Sequence, residues 1–429
     1  MKRILITGSS GYIGQHLIAS LLSSSWEDDD DDVSYELYCA YNALATFESD
    51  IEHLILDTAT TATKRQCEES AKEQQRQRQR RPMARIARII SGIDFSLPDW
   101  DEKIRRAAIT TEERNDCNYT AGCNINNNSD SGGGMVVFDV IIHLAAISSP
   151  TKCQDDPKTT MRVNCPTRLL SMASIIIYMS TDQVYEGNRS YYLEEDDDDD
   201  NILQPVNPIN VYGRSKAKFE TCLLESKRHV GSIILRCSLV LGPPPPLLHG
   251  CSKGTDCPTF LQFVEGRLKS NTLTDYYIDE YRSVVHVNDV VSTIRHFLDN
   301  ACLTPPPPQP PLTAMTTTAT TSTVIKEATK KLATRVYNLG GSTRVSRYDI
   351  AIGVANYLRL DTSSINAANR PISIGSGSTG GTAGGGGGAV PSPADISMNV
   401  SKLTNELRVE RMLGLDEIVA LTYGEPYAK

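Results

Sequence analysis

MKRILITGSSGYIGQHLIASLL, Met1 to Leu22, decides the fold. Ile4-Leu5-Ile6 is a short apolar run of the kind a buried parallel strand carries. Thr7 leads into a turn with Gly8, Gly11 and Gly14 three apart, and a helix follows with Ile13, Leu17, Ile18, Leu21 and Leu22 on one face. Gly8 permits the tight turn, Gly11 lets backbone approach a pyrophosphate, and Gly14 lets the helix lie close to the strand. The free N–H groups and positive end of that helix then face an anion. An ordinary strand–turn–helix is the alternative for the turn alone. Its place after the first apolar strand, opening a helix, favours dinucleotide binding.

Outward from this turn, bulk properties bound the rest. A chain of 429 residues suffices for a nucleotide domain and a smaller partner. The net charge is −9, but Asp28 to Asp32 and Asp196 to Asp200 supply ten negative charges, so the remainder is nearly neutral. No basic field for nucleic acid exists, and no apolar run is long enough to span a membrane. Lys2 and Arg3 precede only three strongly apolar residues, too few for a signal peptide. The eleven cysteines include no CxxC pair. Cys117/Cys123 and Cys251/Cys257 leave zinc or disulfide roles open, against the plainer reading of reduced thiols in a cytoplasmic protein.

Patterned segments alternate with low-complexity inserts. Strands are predicted at Tyr35–Tyr41, Arg88–Asp94, Met135–Ala146, Ile175–Met179 and Ile233–Arg236. Helices are predicted at Trp100–Ala108, around Thr159–Ala173, and at Asn210–His229. This alternation implies an α/β fold, a doubly wound parallel (Rossmann) sheet with right-handed crossovers. Residues 1–242 form mainly the NAD(P)-binding domain, with inserts near 23–34, 58–85, 117–134 and 195–201. Lys64 to Arg81, rich in Gln, Arg, Lys and Glu, reads as an exposed helix or disordered insert, with a nucleic-acid arm as the sharper alternative. Residues 243–429 form mainly a smaller α/β substrate-binding region, with inserts near 303–325 and 373–390. The strand Val336–Leu339 and the helix Arg347–Leu358, capped by Ser346 and Asp349, belong to these later elements, some of which can return to the first domain.

Tyr212-Gly-Arg-Ser-Lys216 places a tyrosine and a lysine four apart, on one face of a helix. Ser180 and Thr181 close a strand of the same sheet, where ligands sit in such folds. An unperturbed tyrosine, with a pKa of about 10, exchanges protons poorly at neutral pH, and a neighbouring ammonium is expected to lower it. Thr181 would hold a substrate carbonyl or hydroxyl in line with a hydride carbon, and Lys216 would also bond a ribose. YxxxK alone is readily a chance helical pair. Joined to the N-terminal turn, it points to proton transfer beside a nicotinamide.

These motifs resemble the extended short-chain dehydrogenase/reductase family, in the branch holding dTDP-4-dehydrorhamnose reductases, sugar epimerases, the methionine adenosyltransferase regulatory beta subunit and plant-type relatives. TGSSGYIG, VIIHLAA at Val140–Ala146, VN at Val163–Asn164, STDQVYEG at Ser180–Gly187 and VYGRSK at Val211–Lys216 carry the likeness. ILRCSLVLGP, DEYRSVVHVNDV at Asp279–Val290, YNLGG and SPADISMNVSKL extend it across the chain outside the inserts. The resemblance implies Thr181, Tyr212 and Lys216 as catalytic residues. Gly8, Gly11, Tyr12, Ile13 and Gly14 would hold the pyrophosphate. Asp94 would contact the adenine, with Asp57 as runner-up, and Ala145 and Ala146 would line the nicotinamide side. Asp182, Gln183 and Arg282 would meet the substrate, Arg282 through a phosphate or else in a structural salt bridge. Asn164 would fix a helix or relay water, or merely satisfy buried backbone. Arg236 is divided between scaffold and site, and His286 is expected to pack rather than titrate.

The implied activity is NAD(P)-dependent reduction or epimerisation of a nucleotide sugar. The alternative is a non-catalytic regulatory subunit of methionine adenosyltransferase that binds NADP structurally. A homodimer is the other partner the resemblance suggests, and no metal is implied. The second strand ends Cys39-Ala40-Tyr41-Asn42, without the acid that selects NAD, which favours NADP, though no arginine stands there for the extra phosphate.

Overall fold

The computed structural model describes residues 1–23, 34–42, 84–108, 137–195, 203–226, 231–246, 259–303, 334–371 and 390–424. The chain runs β1 (Lys2–Thr7), α1 (Tyr12–Ser23), β2 (Tyr35–Ala40), β3 (Ala84–Ile90), α2 (Trp100–Ala108) and β4 (Phe138–His143). Two short helices follow, α3 (Pro150–Asp155) and α4 (Pro157–Asn164), then β5 (Ala173–Thr181), α5 (Val211–Glu225), β6 (Ile233–Cys237) and β7 (Val240–Leu241). The later part holds α6 (Phe260–Lys269), β8 (Thr274–Tyr277), β9 (Tyr281–Arg282), β10 (Val285–His286) and α7 (Val287–Leu303). It ends with β11 (Arg335–Leu339), β12 (Val345–Ser346), α8 (Arg347–Leu358), β13 (Ile365–Ala368), α9 (Ser401–Leu407) and α10 (Leu415–Tyr423).

Seven parallel strands form one sheet in the order β11-β6-β5-β4-β1-β2-β3. Its central strands are apolar throughout because both faces are covered. Ile4, Ile6, Val140, Ile142, Ile177 and Met179 point to one core, shared with Leu17, Ile18 and Leu21 of α1 and Val290, Ile294 and Leu298 of α7. Leu5, Ile141, Ile176 and Tyr178 point to the other, with Ile104 of α2 and Phe219 and Leu223 of α5. Each such aliphatic side chain contributes roughly 1.5–3 kcal/mol by leaving water. A third core, with Leu261, Val264, Ile350, Val354, Leu415 and Ile418, joins α6, α8 and α10 into a smaller lobe.

Several sequence boundaries move, each for a local reason. β3 lies at Ala84–Ile90 rather than Arg88–Asp94. It is an edge strand that tolerates Arg85 and Arg88, and Gly92, at φ +66°, turns the chain after it. The helix expected over Thr159–Ala173 stops at Asn164, two residues before Pro166, and gives way to a 3₁₀ turn over Thr167–Ser171. Val336–Leu339, grouped above with the later elements, returns as the outermost strand of the main sheet, beside β6. Ser346 and Asp349 form the expected reciprocal cap on α8. Asp57, the 64–81 segment and the pairs Cys117/Cys123 and Cys251/Cys257 lie outside the described residues. Among the described residues, Cys39, Cys153, Cys165, Cys222 and Cys237 are free thiols, and no cluster of side chains could hold a metal. No described helix is long and apolar enough to cross a membrane.

Candidate active site

The candidate residues meet along the C-terminal edge of the sheet. Thr7 is in register with Ala40 of β2 and His143 of β4, and Thr181 of β5 with Cys237 of β6. The turns after β1 and β4 and the end of β5 therefore converge where open α/β sheets bind ligands.

At the first turn, Gly8 has φ +70°, and a Cβ there would stand 2.7 Å from the Ala145 backbone nitrogen. A Cβ on Gly14 would meet the Gly8 carbonyl oxygen at 2.5 Å. Gly8 and Gly14 thus allow strand, loop and helix to touch. Gly11 differs: it is exposed, and an added Cβ would meet only the Gly8 carbonyl oxygen, at 3.1 Å. Its outer side is open beside the first turn of α1, whose N–H groups have no acceptor within the helix. This cradle fits the phosphates of a dinucleotide. Tyr12 also reaches across the molecule, its hydroxyl donating to the Pro243 carbonyl at 2.9 Å, while Ile13 packs on the core. Ala145 and Ala146 lie partly buried just past β4. Asp94 sits past the end of β3 and accepts the Ser96 N–H at 2.8 Å, a self-contained turn.

Asn164 explains how the loop after β4 is fixed. It is fully buried, and its side chain accepts the Ile147 N–H at 2.7 Å and donates to the Ile147 carbonyl at 3.1 Å. It also donates to Ser215 Oγ at 2.9 Å, and Ser215 donates to the Tyr212 carbonyl at 2.7 Å. One amide ties the alanine loop to the first turn of α5. Asn210 caps that helix by accepting the Gly213 N–H at 2.8 Å, and its amide donates to Gln183 Oε1 at 2.8 Å.

Thr181, Tyr212 and Lys216 come together on this frame. Tyr212 is partly buried, with the Thr181 side chain near enough to act on its hydroxyl. Burial raises its hydroxyl above the ordinary phenol value; Thr181 pulls down, and Asp182 adds to the rise. The expected lowering by Lys216 is not what the structure shows, because burial dominates. Lys216 is 2% exposed, its ammonium 4.4 Å from the Tyr178 ring centroid. Burial lowers it to about 7, against the opposing charge of Glu220. Burial thus favours the neutral phenol at Tyr212 and brings the Lys216 ammonium down to about 7.

Asp182 faces inward. It takes hydrogen bonds from Thr181 Oγ1 at 3.2 Å and Ser238 Oγ at 2.9 Å, and burial raises its carboxyl despite Arg282. Gln183 instead lines a cleft of about 520 Å³ between the sheet edge and the smaller lobe, together with Asn210, Phe260, Glu280, Arg282 and Arg347. Arg282 sits in a structural salt bridge with Glu280 at 3.1 Å. Arg236 belongs to the scaffold: buried with Glu220 at 2.9 Å, it also donates to the Tyr185 hydroxyl at 3.0 Å. His286 packs: burial lowers it to about 4, and its Nδ1 accepts the Asn288 N–H at 3.2 Å.

Sequence reasoning missed Ser238, Glu220, Glu280 and Arg347. Glu280 stands two residues before Arg282, a spacing that puts both on one side of an extended segment and was the available signal. Arg347 had none, since it meets the cleft only through tertiary packing.

Residues 105–307 match the NAD dependent epimerase/dehydratase family. The methionine adenosyltransferase 2 subunit beta of Bos taurus is 23% identical over 180 residues, which is 40% of this chain and 48% of that protein. The chain thus spans about half the length of the curated relatives it matches. A dTDP-4-dehydrorhamnose reductase from Bacillus anthracis, solved in complex with NADP, superposes with a TM-score of 0.54 at 14% identity, covering 98% of both chains. A UDP-glucuronic acid 4-epimerase from Bacillus cereus, in complex with UDP-glucuronic acid and NAD, gives 0.55 at 16% identity, again covering 98% of each. These two likenesses establish the fold.

Proposed function

Because residues 105–307 match the NAD dependent epimerase/dehydratase family, we propose that the chain is an NAD(P)-dependent oxidoreductase acting on a nucleotide-linked sugar, dTDP-4-dehydrorhamnose reductase-like, with NADP preferred. The observation that carries this reading is the gathering of Thr181, Tyr212 and buried Lys216 at the sheet edge that also holds the glycine turn. Gly8, Gly11, Tyr12, Ile13 and Gly14 would hold the dinucleotide phosphates, Ala145 and Ala146 the nicotinamide side, and Asp94 the adenine side. The dinucleotide, when bound, supplies the hydride.

The chain's own residues handle the proton. Tyr212 begins protonated because burial disfavours its phenolate, and this suits donation to a carbonyl oxygen that gains negative charge, the reductive direction. Thr181 orients that oxygen against the phenol. Lys216, close to neutrality, is poised to carry positive charge as the phenolate forms. Asn164 keeps the alanine loop and the Tyr212 turn at fixed separation. The absence of an acid in Cys39-Ala40-Tyr41-Asn42 supports NADP over NAD.

A second reading is favoured by the curated relatives, which are named methionine adenosyltransferase 2 subunit beta. In it the chain binds NADP structurally and partners an adenosyltransferase catalytic subunit. A screen of the purified protein with NADPH and NADH against 4-keto nucleotide sugars separates the two. Cofactor oxidation is expected from the first. Tight cofactor binding without turnover, with co-purification of an adenosyltransferase, would replace it by the second.

A further inference from the structure

We propose that Arg347, not Arg282, anchors an anionic group of the substrate, a phosphate or a carboxylate, and that Glu280 and Phe260 hold its guanidinium ready. The inference rests on the reading of the cleft as a substrate site given above.

Two arginines line the cleft, and their donors are used differently. Arg282 is 4% exposed. Its Nη1 donates to the Tyr281 carbonyl at 2.8 Å and the Pro393 carbonyl at 3.2 Å, and its Nη2 reaches Ser392 Oγ at 3.4 Å and Glu280 at 3.1 Å. Its fork is committed to the chain itself. Arg347 has a side chain 27% exposed and uses only Nε, which donates to Glu280 Oε1 at 3.2 Å. Among the described residues, neither Nη meets a hydrogen-bond partner.

Arg347 is nonetheless held firmly. Its guanidinium carbon lies 4.7 Å from the Phe260 ring centroid, so the ring fixes the plane while Glu280 fixes the inner edge. The backbone beneath it is the first residue of α8, locked by the Ser346–Asp349 cap. Burial works against a charge on Glu280, but Arg282, Arg347 and a hydrogen bond from Ser392 outweigh it and hold the carboxyl below the usual carboxylate range. The carboxylate therefore stays charged and keeps Nε engaged. What remains is the outer end of the fork, two Nη groups with roughly parallel N–H bonds, the geometry that pairs with two oxygens of a carboxylate or phosphate. Because the inner edge is already fixed, little rotamer entropy is lost on binding. Gln183 and Asn210, beside the Thr181–Tyr212 pair, line the same cleft, so an anion held by Arg347 would set how far the rest of the ligand reaches toward that pair.

The test titrates the NADPH-loaded protein by calorimetry with dTDP, UDP, UDP-glucose and UDP-glucuronic acid, for wild type, Arg347→Gln and Arg347→Lys. A lost bidentate charged contact is worth roughly 10- to 100-fold in affinity. A loss of that size for all four nucleotides in Arg347→Gln, with NADPH affinity and melting temperature unchanged, supports the inference and identifies the anion as phosphate. A loss confined to UDP-glucuronic acid supports it and identifies the anion as carboxylate. Arg347→Lys is expected to recover only part of the affinity, because it restores the charge and not the fork, and it serves as the test if the glutamine variant misfolds. Equal binding by wild type and both variants overturns the inference, as does a wild type that binds NADPH but none of the four probes. A wild type that binds neither NADPH nor NADH overturns the dinucleotide reading itself, a separate result.

Discussion

The buried ammonium of Lys216 makes stability depend on pH in a direction that can be worked out beforehand. In the fold its pKa falls from 10.5 to about 7, chiefly through burial. Between those values the unfolded chain holds a proton that the folded chain has released, so stability rises with pH across the window and the contribution is lost as pH falls through 7. Each pH unit between the two values is worth about 1.4 kcal/mol, so the full contribution is on the order of 5 kcal/mol. Between pH 7 and pH 9 the part that changes is about 2 kcal/mol. Other buried groups, such as Cys39, whose thiol burial pushes up to about 12, also titrate with pH, so the comparison is with Lys216→Met, in which they cancel. Urea unfolding of both proteins at pH 7, 8 and 9 measures it. Wild type is expected to gain about 2 kcal/mol on the variant from pH 7 to pH 9. A pH-independent difference would refute the claim that Lys216 is held near neutrality.

Three further outcomes follow from particular contacts. Gly14→Ala places a Cβ against the Gly8 carbonyl oxygen at 2.5 Å, so a loss of about 1–3 kcal/mol is expected in urea, with weaker NADPH binding by fluorescence titration. Glu220→Gln leaves the Arg236 guanidinium buried without its counter-charge, which should cost about 3–5 kcal/mol in the same assay. Asn164→Ala strands the Ile147 N–H, while the Ile147 carbonyl keeps only the Cys153 thiol, and should cost about 1–3 kcal/mol; equal stability would mean that water replaces the amide without penalty.

Much of this was legible in the chain because local chemistry and tertiary need coincide. Trp100–Ala108 carries acids in its first turn and arginines in its last, and folds as the helix expected. The Gly8 and Gly14 roles follow from backbone approach alone, which no side chain elsewhere can alter. What misled was context. The sequence points to a Tyr212 hydroxyl lowered by Lys216, whereas solvent exclusion, a property of the packed surroundings, raises it. The short α3 passed unnoticed although Ser149 and Pro150 mark a helix start. Arg282 and Arg347 look alike as letters. Only the assembled cleft shows that the first spends its donors on Pro393, Ser392 and Glu280 while the second keeps two nitrogens toward the ligand side.

The central claim is that Tyr212 is the proton donor beside a dinucleotide seated on the glycine turn. It is tested most directly by NADPH oxidation with 4-keto nucleotide sugars, comparing wild type with Tyr212→Phe at equal cofactor saturation. The account expects Tyr212→Phe to bind NADPH as wild type does and to lose roughly 10²- to 10⁴-fold in turnover. Undiminished turnover in Tyr212→Phe would contradict it.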